Sequence, residues 1–135
     1  MELNVYQKKA METCMPTCEN ISYMLLNLVG EVGEFSSKIA KAMRKDQLKI
    51  GWWEDGKEAD ENNLIPTVSF FEWDKIKVEL QKEAGDILWQ LSGLCTIMGW
   101  DLEDVAECNL KKLSERKKNG TIAGNGDGTT KEERL

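Results

Sequence analysis

Histidine is absent from the 135 residues of this chain. A Ser-His-Asp or Cys-His catalytic pair is therefore excluded, as are histidine-bearing zinc and haem sites and the Glu-x-x-His di-iron bundle. Long apolar runs are missing as well. Nowhere do roughly 18 apolar residues follow one another without a charge, so no membrane-spanning helix is expected. The opening residues M-E-L-N-V-Y-Q-K-K-A-M-E-T lack the apolar core and small-residue site of a secretory signal. Positive charge is in deficit, with Lys+Arg 18 against Asp+Glu 24 and a net charge of −6. That balance argues against non-specific binding to nucleic acid or to an anionic membrane. Cys14, Cys18, Cys95 and Cys108 are spaced C-x3-C and C-x12-C, not as the paired C-x2-C knuckles of a zinc ribbon. They are expected to be reduced thiols in a cytoplasmic protein. The tools left for chemistry are carboxylates and a hard cation.

The length suits one domain with a real core. Four helical stretches and no strand are read from the pattern, which makes the chain all-α. The first runs from Met1 to about Cys14 and stops before Pro16. The second runs from about Cys18 to Lys45, with Thr17 as N-cap and Ile21, Leu25, Leu28, Val32, Phe35, Ile39 and Met43 at helical spacing. A third follows the capping box of Ser69 and Glu72, continues to Met98 and ends at Gly99. Asp101 caps a fourth, Leu102 to about Lys118, which stops at Asn119-Gly120. Residues 1–119 form the helical domain, and residues 46–68 are a polar insert of the length that compact domains reserve for a function. Residues 120–135, rich in glycine and polar side chains, read as a flexible tail.

On a helical wheel Asn27, Glu31, Glu34, Lys38, Lys41 and Lys45 fall in one stripe beside the apolar face of the second helix. Glu79, Glu83, Asp86 and Gln90 line the edge of the apolar stripe of the third. If the two apolar faces pack together, Glu31, Glu34, Glu83 and Asp86 meet. Crowded carboxylates repel one another unless some stay protonated or a cation intervenes, and an all-oxygen set suits Mg²⁺ or Mn²⁺. Against this stands the reading of ordinary solvated helix acids. Gly30, Gly33 and Gly85 each precede one of the acids, and a helical glycine costs roughly 1 kcal/mol relative to alanine. They mark either a close helix crossing or room left for a ligand.

The segments L-V-G-E-V-G-E and K-E-A-G-D-I-L-W together resemble the E-x-x-E and E-x-x-D motifs of the MazG-like all-α nucleoside triphosphate pyrophosphohydrolases. The resemblance runs through about Leu25–Lys45 and Val78–Lys118, including N-L-K-K-L-S-E-R-K. It implies a four-helix-bundle type fold completed by dimerisation or by a dimer-of-dimers tetramer. It also implies Mg²⁺, with Mn²⁺ as substitute, held by Glu31, Glu34, Glu83 and Asp86. The substrate would be a nucleoside triphosphate, cleaved to the monophosphate and pyrophosphate. With no histidine, a carboxylate such as Glu34 must accept the proton of the attacking water, and Glu83 belongs to the same catalytic set. One departure from the compact members is the 48 residues that separate Glu34 from Glu83.

Supporting residues carry two readings each. Asn109 lies in the apolar stripe of the fourth helix and needs a partner, either substrate or another helix's backbone. Lys112 and Arg116 share its face and suit phosphate oxygens, or simply complement a helix C-terminus. Lys38, one turn after Glu34, is a further phosphate candidate. Trp89 is a candidate for stacking on the base, or else core. Trp52 and Trp53 pack on the core, on another subunit or on the nucleotide. A helical module without catalysis, binding nucleotide, metal or a partner, is the competing reading.

Overall fold

Helices dominate the computed structural model, which describes residues 1–51 and 64–124. Helix α1 spans Leu3–Met11, α2 Ile21–Arg44, α3 Phe70–Ile97 and α4 Leu102–Lys118. The all-α expectation holds, with one correction. Leu48–Ile50 (β1) and Leu64–Pro66 (β2) pair antiparallel, with Leu48 opposite Pro66 and Ile50 opposite Leu64. Three residues are too few for period-2 alternation to stand out. Pro66 is tolerated because a two-stranded sheet has only edge strands. Leu48 is buried, and β1 packs on α2. Trp52, Trp53 and the remainder of the polar insert, 52–63, lie outside the described residues, as does the tail from 125.

The helix ends show which local signals prevailed. Ser69 and Glu72 form the reciprocal capping box of α3. At the start of α2, however, Thr17 is not the cap. It sits inside a single 3₁₀ turn, Pro16–Cys18, and Asn20 caps the helix by accepting a hydrogen bond from the Tyr23 amide at 2.8 Å. Helices α3 and α4 both end in Schellman motifs. Trp100 N–H donates to the Cys95 carbonyl and Thr121 N–H to that of Arg116 (both 2.8 Å), with Gly99 and Gly120 at φ 71° and 69°. Asp101 occupies the N-cap position of α4, but its side chain caps nothing. Helix α1 does that work. Gln7 Oε1 accepts from Leu102 N–H at 2.7 Å and Asn4 Oδ1 from Glu103 N–H at 3.0 Å, while Gln7 Nε2 donates to the Trp100 carbonyl at 2.9 Å.

The main packing is α2 on α3, with α1 laid across α3. Met24 is wholly buried at that crossing. A Cβ on Gly93 would lie 2.4 Å from Met24 Sδ, so a larger residue would force this buried side chain to shift. The glycines beside the acids do something else. A Cβ on Gly33 or Gly85 would meet nothing within 4 Å, and one on Gly30 only Asn27 Oδ1 at 3.7 Å. Of the two readings open for them, close crossing fails and open space beside the acids remains.

Much apolar surface stays uncovered, part of it on the expected stripe of α2. Leu26 and Val29 on α2 and Phe70 on α3 are 75%, 73% and 79% exposed, and Leu25, Val32, Phe71, Leu110 and Trp100 are exposed too.

Alanine substitutions separate the two glycine roles. Gly93→Ala is expected to destabilise the fold by about 1 kcal/mol, the overpacking cost of about 1–3 kcal/mol outweighing the propensity gain. Gly33→Ala and Gly85→Ala should each stabilise it by up to about 1 kcal/mol. Urea denaturation followed by circular dichroism checks both signs.

Candidate metal centre

Helix α2 carries Glu31 and Glu34 at i, i+3, and α3 carries Glu83 and Asp86 at the same spacing. Residues so spaced share a helix face. The crossing brings three of the four together. Glu31, Glu83 and Asp86 each place a carboxylate oxygen within 4.8 Å of the other two. Glu83 is buried, Glu31 half-buried and Asp86 exposed, so the cluster opens to solvent on one side. Glu34 is exposed and lies outside this triad.

The electrostatics are those of crowded acids. Burial, with the charges of Glu34 and Asp86, holds the Glu31 carboxyl above the usual carboxylate range; a hydrogen bond from Asn27 opposes the rise. Glu83 Oε1 pairs with Lys38 Nζ at 2.9 Å, whereas Glu83 Oε2 is buried with no hydrogen-bond partner among the described residues. A buried carboxylate oxygen left unpaired is costly. The same residue contributes a carboxylate oxygen to the cluster with Glu31 and Asp86, an all-oxygen set that fits Mg²⁺ or Mn²⁺.

Around the triad, Lys38 also reaches Glu79 at 3.3 Å, and the hydrogen bond to Glu83, followed by that to Glu79, holds its ammonium above the usual lysine range. Two residues given no role from sequence prove to position the acids. Asn27 Nδ2 donates to Glu31 Oε1 at 3.0 Å and to Gln90 Oε1 at 2.8 Å, and Gln90 Nε2 donates to Met24 Sδ at 3.2 Å. The signal was present: Asn27 stands four before Glu31 and Gln90 four after Asp86. Tyr6 of α1 gave no signal. Its phenol is held above its ordinary pKa by burial and by the charge of Asp86.

Trp89 is engaged elsewhere. Its indole Nε1 donates to the Ala10 carbonyl at 3.0 Å and to Thr13 Oγ1 at 2.9 Å, tying α3 to the end of α1. The residues of α4 are not brought to the acids of their own chain. Asn109, expected within an apolar stripe, is exposed, because α4 packs chiefly on α1 through its first turns. Asn109 and Lys112 line a groove of about 580 Å³ with Trp100, Asp104 and Cys108, and no member of the acid triad borders it. Arg116 is half-buried, its Nε without a partner among the described residues.

Residues 19–121 match the MazG nucleotide pyrophosphohydrolase domain. The chain belongs to that family. It is also similar to the Gene 37 protein of Mycobacterium phage L5, at 31% identity over 134 residues, covering 94% of this chain and 98% of that protein. No solved structure matches it. The MazG match spans both acid pairs and the basic residues of α4, and at the level of the family it implies nucleoside triphosphate pyrophosphohydrolysis.

Two expectations follow for this MazG domain. Removing the amide that orients Glu31, by Asn27→Ala, should weaken Mn²⁺ binding about 10–100-fold, the usual effect of losing a hydrogen bond to a metal ligand. Electron paramagnetic resonance of free Mn²⁺ measures it. The Glu31 carboxyl is held above the ordinary value of 4.5, so just above pH 4.5 this group binds more protons in the native chain than in the unfolded one. The contribution of Glu31 to stability therefore falls as pH rises through that interval. With divalent cations chelated, Glu31→Gln should raise the Tm at pH 7 and flatten this decline.

Proposed function

We propose that this MazG domain is a Mg²⁺-dependent hydrolase of a nucleoside or deoxynucleoside triphosphate, releasing the monophosphate and pyrophosphate. The observation that carries the reading is the convergence of carboxylate oxygens from Glu31, Glu83 and Asp86, with Glu83 also holding a buried oxygen that has no partner among the described residues. Those three residues would hold Mg²⁺, which would supply the positive charge that offsets a triphosphate and would acidify water at the site.

The chain's own groups then have distinct tasks. Asn27 holds the Glu31 carboxylate in one orientation. Glu34, exposed and close enough to raise the Glu31 pKa, accepts the proton of the attacking water as it adds to phosphorus. Lys38 steadies phosphate oxygens as pyrophosphate departs. The open space beside Gly30, Gly33 and Gly85 admits the phosphates close to the helices.

The reading includes a second copy of the chain, as a homodimer or a dimer of dimers. The exposed Leu26, Val29 and Phe70 need cover, and apolar patches of this kind mark interfaces. In such an assembly Asn109, Lys112 and Arg116, directed away from their own acids, serve a neighbouring site. The free state of all four cysteines suits the cytoplasm.

Incubation with a panel of NTPs and dNTPs plus Mg²⁺ should yield monophosphate and pyrophosphate from at least one of them. No turnover across the panel would sink the hydrolase reading. Glu83→Gln should lower kcat at least ~100-fold, since loss of a ligand costs no less than loss of its support. Its helical circular dichroism should not change. Mixing Glu83→Gln with an inactive Lys112→Ala/Arg116→Ala chain should restore activity, because some mixed dimers then hold one intact site. Failure to restore any would place α4 on its own chain's site.

A further inference from the structure

Past the acids, the stripe on α2 becomes basic. Lys38, Lys41 and Lys45 recur at i, i+3 and i+7 on the face that carries Glu31 and Glu34. Across from them Lys75 of α3 completes a groove of about 250 Å³ floored by the buried Ala42. Four ammonium groups face one carboxylate there, in a chain whose net charge is −6. The carboxylate, Glu79, already accepts from Lys82 at 2.7 Å and from Lys38 at 3.3 Å, and these contacts hold its pKa below the ordinary range. Among the described residues Lys41, Lys45 and Lys75 pair with no carboxylate; Lys75 Nζ lies over the Phe71 ring, 4.4 Å from its centroid.

Like charges at this spacing repel, although Lys41 and Lys45 also lie at the C-terminus of α2, where positive charge is favourable. What asks for a ligand is the convergence: four ammonium groups in one groove with a single, already paired carboxylate suit an anion. From Lys38 to Lys45 is seven residues, about 10 Å along the helix axis. That reach suits a chain of phosphates better than a single one. The groove joins the acid cluster directly, because Lys38 belongs to both: it lines the groove and contacts Glu83 at 2.9 Å.

We propose that the Lys38–Lys41–Lys45–Lys75 groove is a binding site for a polyphosphate chain, continuous with the metal centre through Lys38. The choice of phosphate rests on the pyrophosphohydrolase reading. Either the outer phosphates of the substrate or the released pyrophosphate occupies the groove.

Inorganic tripolyphosphate, titrated calorimetrically without nucleotide, tests the groove apart from turnover. Lys41→Gln/Lys45→Gln/Lys75→Gln should lose at least ~10-fold in affinity, and its binding should depend less steeply on salt. The corresponding triple Lys→Arg variant should keep wild-type affinity, and Mn²⁺ binding and circular dichroism should be unchanged in both. Tripolyphosphate affinity unaltered by the glutamine substitutions would overturn the proposal. So would equal loss in the arginine variant. Kinetics separate the two sources: occupancy by substrate raises KM for the triphosphate, whereas occupancy by product weakens pyrophosphate inhibition alone. If no nucleotide is hydrolysed but tripolyphosphate binding still requires the lysines, the groove stands and the hydrolase reading falls. Turnover with unaltered tripolyphosphate affinity in the glutamine variant overturns the groove alone.

Discussion

The register of α2 against α3 is the constraint on which the site depends. It is set where Met24, with no exposed surface, fills the notch left by the missing side chain of Gly93 and accepts a hydrogen bond from Gln90. The helices run in opposite directions, so each step forward along α2 meets an equal step back along α3. Three residues on, Asn27 meets Gln90; seven on, Glu31 meets Asp86; fourteen on, Lys38 meets Glu79. Seven residues are close to two helical turns, which keeps all of these pairs on one face. A slip of one turn at Met24 would separate Glu31 from Asp86 without unfolding either helix.

This register explains why the meeting of Glu31, Glu83 and Asp86 was legible in the sequence, while for Asn27 and Gln90 only the spacing was. Paired acids at i, i+3 announce themselves locally, and each lies beside an apolar stripe that has to pack. Their meeting needs only that the stripes face each other. The role of Asn27 depends on which residue lies opposite, and that is decided at Gly93, a lone glycine in L-S-G-L that looks like any other tolerated in a helix. Gly30, Gly33 and Gly85 drew attention by proximity to the acids, yet the tight crossing is elsewhere.

Where the chain turns, purely local signals divided by strength. Ser69-x-x-Glu72 and the glycines after α3 and α4 are complete motifs, and the ends fall where they point. Thr17 and Asn20 both carry capping side chains; Pro16 fixes a 3₁₀ turn through the first, and the helix begins at the second. The direction of α4 was not legible at all. It is set by Gln7 and Asn4, some 95 residues away in sequence, which bind the first amides of α4 in place of Asp101. Because α4 leaves along that direction, Asn109 and Lys112, read as substrate contacts, line a groove that the acids do not border.

The charge balance takes on a different meaning once it is placed on α2. One face of this helix passes from Asn27 through Glu31 and Glu34 to Lys38, Lys41 and Lys45, so an acidic protein carries a graded stripe rather than a uniform surface. Among the described residues the acidic half has no counter-charge beyond Lys38, and the basic half has only the shared Glu79. A divalent cation answers the first half and a chain of phosphates the second. On the proposed function a metal–polyphosphate complex would answer both at once, its positive end toward Glu31, Glu83 and Asp86 and its negative end toward the lysines. Neither ion alone balances the stripe. On this argument metal and phosphate chain bind with positive coupling, each completing the charge pattern that the other leaves exposed.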